Sequence, residues 1–204
     1  MKSFKASELT VKQQYKYIIG SVVPRPIALV TTLAQDGQTV NIAPFSFFSG
    51  ASDQLPLLTI SSLRANGHMK DTVRNILDQK EAVVHIVDIT IAEDMNATCT
   101  SLPPDQSELS LTNFTLSESK LVAPPQLNEP KIKLESILHQ YVPVKNDEQV
   151  VITDLLILKV VNFCFAESVL DRSYINTKEL NPVARLAGNQ YASLDKEFTL
   201  IRPK

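Results

Sequence analysis

Two long segments in the C-terminal half limit the possible folds most strongly. Residues 132–144, IKLESILHQYVPV, and residues 150–166, VVITDLLILKVVNFCFA, have the alternation and the β-branched content of long strands. Only a short polar stretch separates them, which favours antiparallel pairing through a hairpin. Long strands joined in this way favour a sheet that curls into a barrel over a parallel sheet covered by helices.

The N-terminal half adds shorter strands and a few helices. A strand over 27–33, a turn at QDGQ and a returning strand over 39–48 form a predicted hairpin. Strands are also predicted over 57–62 and 81–89. The predicted helices cover 8–19 with Ser7 as cap, 71–80, and a short piece within 90–100.

The predicted fold is mainly β. The proline-rich segment 102–130 is expected to be a surface excursion rather than a domain boundary. The chain is therefore predicted to form one domain over 1–204, an antiparallel, closed or half-closed, Greek-key-like barrel with a few appended short α-helices.

Composition argues against several classes of function. The formal net charge is -2, so no strong field favours nucleic acid or an anionic membrane. No apolar run reaches the roughly 18 residues of a membrane-spanning helix, and the N-terminus lacks the apolar middle of a secretory signal. Cys99 and Cys164 lie far apart without a CxxC spacing, as expected of reduced cysteines in a cytoplasmic protein.

The common catalytic motifs are absent. The sequence contains no GxSxG, no GxxxxGK[ST], no GxGxxG and no metal-ligand spacing. Of the three histidines, His85 lies in an apolar strand and is expected to be a core or sheet-face residue. An enzyme built on this chain would therefore depend on an organic cofactor.

The segment 61–75, SSLRANGHMKDTVRN, has the donors that a phosphate monoester needs. Hydroxyls end a strand, cations follow in a loop, and a helix starts with unpaired N–H groups and a partial positive charge. The residues concerned are Ser61, Ser62, Arg64, Lys70 and Thr72. The alternative is an ordinary capped helix, with Asp71 or Thr72 as the N-cap and a solvated lysine.

The stretch 41–48, NIAPFSFF, is unusual for a core strand because it mixes aromatic and polar residues with Pro44. Proline cannot donate to a ladder, so strand pairing is expected to lapse or bulge there. Backbone groups freed in this way, together with Asn41 and Ser46, would suit the polar edge of a planar heterocycle. The alternative is an edge strand packed on a helix.

Four motifs occur in a familiar order: VVPRPIALVTT, NIAPFSFF, KDTVRNI and PVARLAGNQY. Together they resemble the flavin reductase-like family with the FMN-binding split barrel, which includes flavoredoxin, over about Tyr15 to Pro203. The resemblance implies a six-stranded split β-barrel with appended helices, and a homodimer with FMN near the subunit interface.

The resemblance also implies roles for particular residues. The isoalloxazine ring of FMN would be bordered by Asn41, Ala43, Pro44, Phe45, Ser46 and Phe47, and its ribityl phosphate held by Ser61, Ser62, Arg64, Lys70 and Thr72. Arg185, Gly188 and Tyr191 would close over the site, from the same subunit or its partner. Arg25 would approach the flavin or a nicotinamide phosphate, or lie at the surface or an interface.

Three hypotheses follow from the resemblance. In the first, the protein is an FMN-dependent oxidoreductase in which NADH or NADPH reduces the flavin at N5, and electrons pass to free flavin or another acceptor; no side-chain acid or base is required. In the second, it is a non-catalytic FMN electron carrier reduced by a protein partner. In the third, it is a binding domain that has lost the cofactor.

Overall fold

The computed structural model describes residues 1–203. The helices are α1 (Val11–Ser21), α2 (Asp71–Gln79), α3 (Ala92–Ala97) and α4 (Thr177–Leu180). The strands are β1 (Ala28–Leu33), β2 (Val40–Phe45), β3 (Phe48–Gly50), β4 (Leu57–Leu63), β5 (Glu81–Ile86), β6 (Leu116–Ser117), β7 (Gln126–Leu127), β8 (Ile132–Lys145), β9 (Val151–Phe165), β10 (Leu170–Asp171), β11 (Tyr174–Ile175), β12 (Val183–Arg185) and β13 (Tyr191–Ser193). No helix among these residues has the length and apolar character needed to cross a membrane.

Seven strands form one antiparallel sheet in the order β2-β1-β5-β8-β9-β4-β3. The pair β8 and β9 is the longest, and its register shifts at three points, which allow such long strands to bend. The mainly β, antiparallel barrel architecture predicted from the two long segments is confirmed.

The chain connects the two edges of this sheet over two residues. β2 is one edge and β3 the other, and only Ser46 and Phe47 separate them in sequence. The Phe47 carbonyl accepts a hydrogen bond from the N–H of Ser61 on β4, at 2.9 Å. The sheet is therefore curled so that one bent segment belongs to both edges.

Helix α2 packs against the barrel because its apolar residues lie on one face. Val73 and Ile76 are completely buried and join an interior cluster with residues such as Val30, Val84 and Leu156. Two polar contacts fix the helix against β1 and β2. Asn41 Nδ2 donates to Thr72 Oγ1 at 2.8 Å, and Asn75 Nδ2 donates to Thr32 Oγ1 at 3.0 Å.

The excursion predicted over 102–130 covers the outer face of β1, β5 and β8, above a second apolar cluster. Buried polar side chains attach it. Thr31 donates to the Pro125 carbonyl, His85 Nε2 accepts the Leu127 N–H, and the Glu135 carboxylate accepts two further N–H groups. Because the Nδ1 of His85 lies 2.9 Å from the Leu29 carbonyl, this ring is neutral with the proton on Nδ1. Complete burial lowers the pKa of His85 to about 3, and its predicted position on a sheet face is confirmed.

Two local expectations were wrong. The first helix starts at Val11 rather than at residue 8, because Thr10 and not Ser7 caps it, in a reciprocal capping box with Gln13. It also extends past residue 19, so that Gly20 lies within its last turn.

The expected lapse at Pro44 was also wrong. β2 pairs with β1 through Pro44 to Phe45 without a register shift. The N–H of Ile42 points away from β1, because it donates to the Glu108 carboxylate on the edge of the sheet at 2.8 Å. By the two-residue period of a strand, the nitrogen of Pro44 points the same way, so the ladder loses no donor there. β2 is an edge strand, as the alternative predicted.

Candidate functional site

Two cavities lie on either side of the bend between β2 and β3. The smaller has a volume of about 320 Å³ and the larger of about 860 Å³. Pro44, Phe45 and Ser46 line both of them. The Pro44 carbonyl points away from β1, on the same side as its nitrogen. It accepts no backbone hydrogen bond among residues 1–203, so it is a backbone acceptor at the common wall.

The smaller cavity contains the donors expected at an anion site. Ser61, Arg64 and Lys70 line it, together with Phe47 and Tyr15. The Lys70 ammonium lies 5.4 Å from the centroid of the Phe45 ring, so the lysine stem runs along the common wall. The sequence prediction therefore brought together residues that are neighbours in the structure.

The start of α2 next to this cavity is uncapped. Its N-cap position is Lys70, and no side chain accepts a hydrogen bond from the first turn. The first helix donors with an acceptor are the N–H groups of Val73 and Arg74, so those of Asp71 and Thr72 have none among residues 1–203. Asp71 is turned aside into an ion pair with Arg74. The alternative of a helix capped by Asp71 or Thr72 is wrong.

Four of the residues assigned to the flavin lie behind the cavity wall. Thr72 is only 2% exposed and its hydroxyl accepts from the Asn41 amide, so these two side chains hold the helix start in place. The Ser62 hydroxyl is buried and has no hydrogen-bond partner in the described chain. Ala43, on the same strand as Asn41, packs against the interior cluster.

The Arg64 guanidinium is held from behind by a buried carboxylate. Its Nε and Nη2 donate to the two oxygens of Asp154, at 2.9 and 2.7 Å. Tyr141 donates its hydroxyl to Asp154 Oδ1 at 2.8 Å. These contacts raise the pKa of Arg64, while burial and the neighbouring carboxylate raise the pKa of Tyr141.

The larger cavity combines an apolar floor with a polar rim. Ile27, Met95 and Val183 supply apolar surface. The other side chains on its wall include Glu93, Asn96, Cys99, Arg185, Asn189 and Tyr191. Burial raises the pKa of the Cys99 thiol, an effect that the nearby cations Arg185 and Lys70 oppose. Among residues 1–203, no three His, Cys, Asp or Glu side chains are grouped closely enough to hold a metal ion.

The C-terminal motif reaches the larger cavity within one chain. Arg185 lies over the Tyr191 ring, 4.4 Å from its centroid, and its Nη2 donates to the Gly188 carbonyl. Of the alternatives for Arg25, the surface position was wrong; its guanidinium lies over the Phe47 ring, 5.8 Å from the centroid. Arg25 is 7% exposed, and its guanidinium donates to the carbonyls of Ile19, Val22 and Leu186, which ties α1 to the loop that follows β12.

Sequence reasoning missed Asp154 and Tyr141, and it missed the part of the larger cavity formed by α3. Asp154 did leave a signal, because it is the one charged residue in the apolar run VVITDLLIL, and a buried carboxylate requires a partner. Glu93 and Asn96 left none, because polar residues on a short helix are ordinary on any surface.

Similarity to known proteins identifies the family of this chain. Residues 19–180 match the model of the flavin reductase like domain. The chain belongs to the flavin reductase-like family. Membership implies flavin binding. The split-barrel fold expected from the resemblance is confirmed, but the expected count of six strands was wrong: the sheet has seven, because the chain bent at Ser46 and Phe47 enters it as both β2 and β3.

Three relatives are similar over almost the entire chain. YwrF of Bacillus subtilis is 48% identical over 202 residues, 98% of each chain. The structure of nitrilotriacetate monooxygenase component B from Bacillus cereus has a TM-score of 0.95 at 38% identity, with 98% of each chain covered. That of 2-nitrobenzoate 2-nitroreductase NbaA from Pseudomonas fluorescens has a TM-score of 0.87 at 29% identity, covering 99% of this chain and 96% of the other.

The residues of this chain fit a flavin that carries phosphate. The smaller cavity offers two cations and a hydroxyl to an anion, and the start of α2 next to it has two N–H groups without an acceptor among residues 1–203. The larger cavity offers apolar surface with polar groups at its rim, as a planar heterocycle requires.

Proposed function

We propose that this protein is an FMN-binding flavoprotein oxidoreductase that uses NADH or NADPH to reduce flavin and passes the electrons to free flavin or another acceptor. The observation that carries the proposal is the pair of adjoining cavities with a common wall at Pro44, Phe45 and Ser46. One cavity has the donors for a phosphate, and the other has the size and surface for aromatic rings.

The smaller cavity would hold the phosphate of FMN. Lys70 supplies a mobile positive charge, Arg64 a fixed one, and Ser61 a hydroxyl donor. The unpaired N–H groups of Asp71 and Thr72 add the positive end of the α2 dipole. Asn41 and Thr72 contribute from behind by fixing the helix start.

The wall between the cavities would hold the polar edge of the flavin ring. The Ser46 hydroxyl and the outward backbone groups of residues 44–46 provide hydrogen bonds, and Phe45 and Phe47 provide apolar contact. The bound flavin would supply the redox chemistry, so the protein needs no side-chain acid or base. Arg185 and Tyr191 would cover the ring from the side of the larger cavity.

The size of the larger cavity favours an enzyme over an electron carrier. A volume of about 860 Å³ is at the upper end for a single small-molecule site, and leaves room for a second planar reactant next to the flavin. A carrier that exchanges electrons with a protein needs only an exposed ring edge.

An anaerobic titration tests the proposal. The purified protein is loaded with FMN, unbound flavin is removed, and the absorbance of the bound flavin is followed while NADH or NADPH is added. We expect the yellow absorbance to bleach with at least one nucleotide in the absence of any partner protein. Bound flavin that neither nucleotide bleaches would make the protein a carrier, and failure to bind FMN would overturn the proposal.

We further propose that the protein is a homodimer with the flavin near the interface. None of the residues of α1 is buried, although the helix presents large apolar side chains such as Tyr15, Tyr17 and Ile18. Tyr15 also lines the smaller cavity, which places this apolar surface next to the site. Light scattering on the purified protein should give twice the mass of the chain, and the mass of one chain would contradict this.

A further inference from the structure

Asp154 contacts the proposed anion site only through another residue. Asp154 is completely buried and lies on β9, opposite Ser62 of β4. Its carboxylate is hydrogen-bonded to Arg64 and Tyr141. It does not line either cavity. A buried carboxylate this close to an anion site repels the anion, so its presence calls for another role.

The geometry of the ion pair suggests that role. Asp154 engages the Nε and Nη2 edge of the guanidinium, and leaves Nη1 with no hydrogen bond among residues 1–203. Arg64 lines the smaller cavity, and the two hydrogen bonds to Asp154 hold its guanidinium in one orientation there. The hydroxyl of Tyr141 in turn fixes the carboxylate, because it donates to the oxygen that also accepts Nη2.

We infer that Asp154 and Tyr141 are positioning residues, which hold Arg64 so that its free edge binds the phosphate of the flavin. The inference rests on the proposed function. A flexible arginine would have to give up side-chain freedom when the phosphate arrives, whereas this one is ordered in advance. Lys70, which forms no ion pair among the described residues, provides the adaptable contact to the same group.

A different role for Asp154 makes the opposite forecast. If the carboxylate only neutralises Arg64, its removal would strengthen the attraction of the site for an anion. If it positions Arg64, its removal weakens that attraction, because the guanidinium becomes disordered. The sign of the change therefore separates the two roles.

The experiment compares the dissociation constants of FMN and riboflavin, which differ by the phosphate alone. Flavin fluorescence quenching is measured for the native protein, D154N, Y141F, R64A and the double variant D154N/R64A. E135Q serves as a matched control, because Glu135 is an equally buried carboxylate on the neighbouring strand and is bonded to the excursion. Unfolding in urea establishes that each variant is folded.

We expect the preference of the native protein for FMN over riboflavin to fall roughly ten- to a hundredfold in D154N, the range for a hydrogen bond to a charged group. Y141F should lose less, E135Q should keep the preference, and D154N/R64A should lose no more than R64A alone. An unchanged or increased preference in D154N would overturn the inference, and if D154N does not fold, Y141F decides by the same criterion.

The two proposals can fail separately. A native protein that binds both flavins equally and is reduced by NADH or NADPH would retain the proposed oxidoreductase activity but overturn the positioning of a phosphate. A native protein that binds neither flavin would overturn both.

Discussion

Glu135 on β8 and Asp154 on β9 are carboxylates without exposed surface, on strands that pair with each other, yet their oxygens have different partners. Glu135 accepts the N–H groups of Lys120 and Leu121, at 2.8 and 2.7 Å, and so attaches the excursion to the sheet. Asp154 accepts from Arg64, whose remaining donors reach a cavity.

The difference separates two kinds of region. We call the region around Glu135 the frame, because it stabilises the fold, and the region around Asp154 the site, because it presents donors to a cavity. Around Glu135 the two short hydrogen bonds come from backbone groups, and the one side-chain contact, from the Cys164 thiol at 3.9 Å, is long and lines neither cavity, so the arrangement stabilises the fold. Around Asp154 the partner is a side chain with unused donors. A buried polar group thus indicates a functional site when its partner still has unused hydrogen-bond donors. Variants in the frame should therefore change the free energy of unfolding, and variants in the site should change the affinity for flavin.

The largest effect we expect is the loss of stability in acid, which belongs to the frame. His85 must be neutral to accept the Leu127 N–H, and its pKa of about 3 in the folded protein lies below the ordinary value of 6.5. The unfolded chain therefore binds the proton more readily below pH 6.5. The free energy of unfolding should fall by about 1.4 kcal/mol for each pH unit between about 6 and 4 because of this residue.

Urea unfolding of the native protein and H85Q over this range isolates the contribution of His85. The variant should be less stable near pH 7, because glutamine cannot reproduce both ring contacts, but its stability should depend less on pH. Parallel pH profiles of the two proteins would show that His85 does not carry the effect.

E135Q should have the next largest effect, also on stability alone. The amide presents an N–H group to one of two backbone donors, so that a buried hydrogen bond is replaced by a repulsive contact. We expect a loss of about 2–3 kcal/mol in the free energy of unfolding, the range for a buried charged acceptor. Flavin affinity measured on the folded variant should equal that of the native protein, and a large loss of affinity would refute the separation of frame from site.

K70Q should give the reverse result. Lys70 is exposed and forms no ion pair among the described residues, so the free energy of unfolding should change little. The affinity for FMN should fall roughly tenfold, the value of one charge-assisted contact, while that for riboflavin should stay nearly constant. Fluorescence titration with both flavins measures this, and equal losses for both would mean that Lys70 lies on the ring rather than on the phosphate.

S61A should have the smallest effect. Its backbone N–H remains bonded to the Phe47 carbonyl, so the variant removes a single hydroxyl from the cavity wall and leaves the barrel intact. We expect FMN affinity to fall about threefold, near the lower limit for a neutral hydrogen bond. A loss as large as that in K70Q would indicate that the hydroxyl also orders the cavity.

The sequence was sufficient for the strands and for the composition of the smaller cavity. The long alternating segments specify β8 and β9, and the cluster of donors between Ser61 and Thr72 is local in the chain. The start of α1 was misjudged because Ser7 and Thr10 are both acceptable N-caps. Only Thr10 has a glutamine three residues later, Gln13, with which it forms the reciprocal capping box. The strand pairing at Pro44 depends on which way its nitrogen points, which only register decides.

Long-range partners could not be read from the sequence. Arg64 and Asp154 are 90 positions apart, and Asn41 and Thr72 are 31 apart. Nothing in either local sequence tells whether a donor faces a ligand or another side chain. For this reason Thr72 and Asn41 were assigned to the flavin although they support the helix start, and Asp154 was overlooked.

The two-residue link between the edges of the sheet has a consequence for engineering. Ser46 and Phe47 both close the barrel, Ser46 belongs to the wall common to the two cavities and Phe47 lines the smaller one, so new chain termini placed there would open the sheet and divide the binding surface at once. The hairpin between β8 and β9, whose tip at 146–150 is largely exposed and lines neither cavity, is the better place for circular permutation or for inserting a reporter domain.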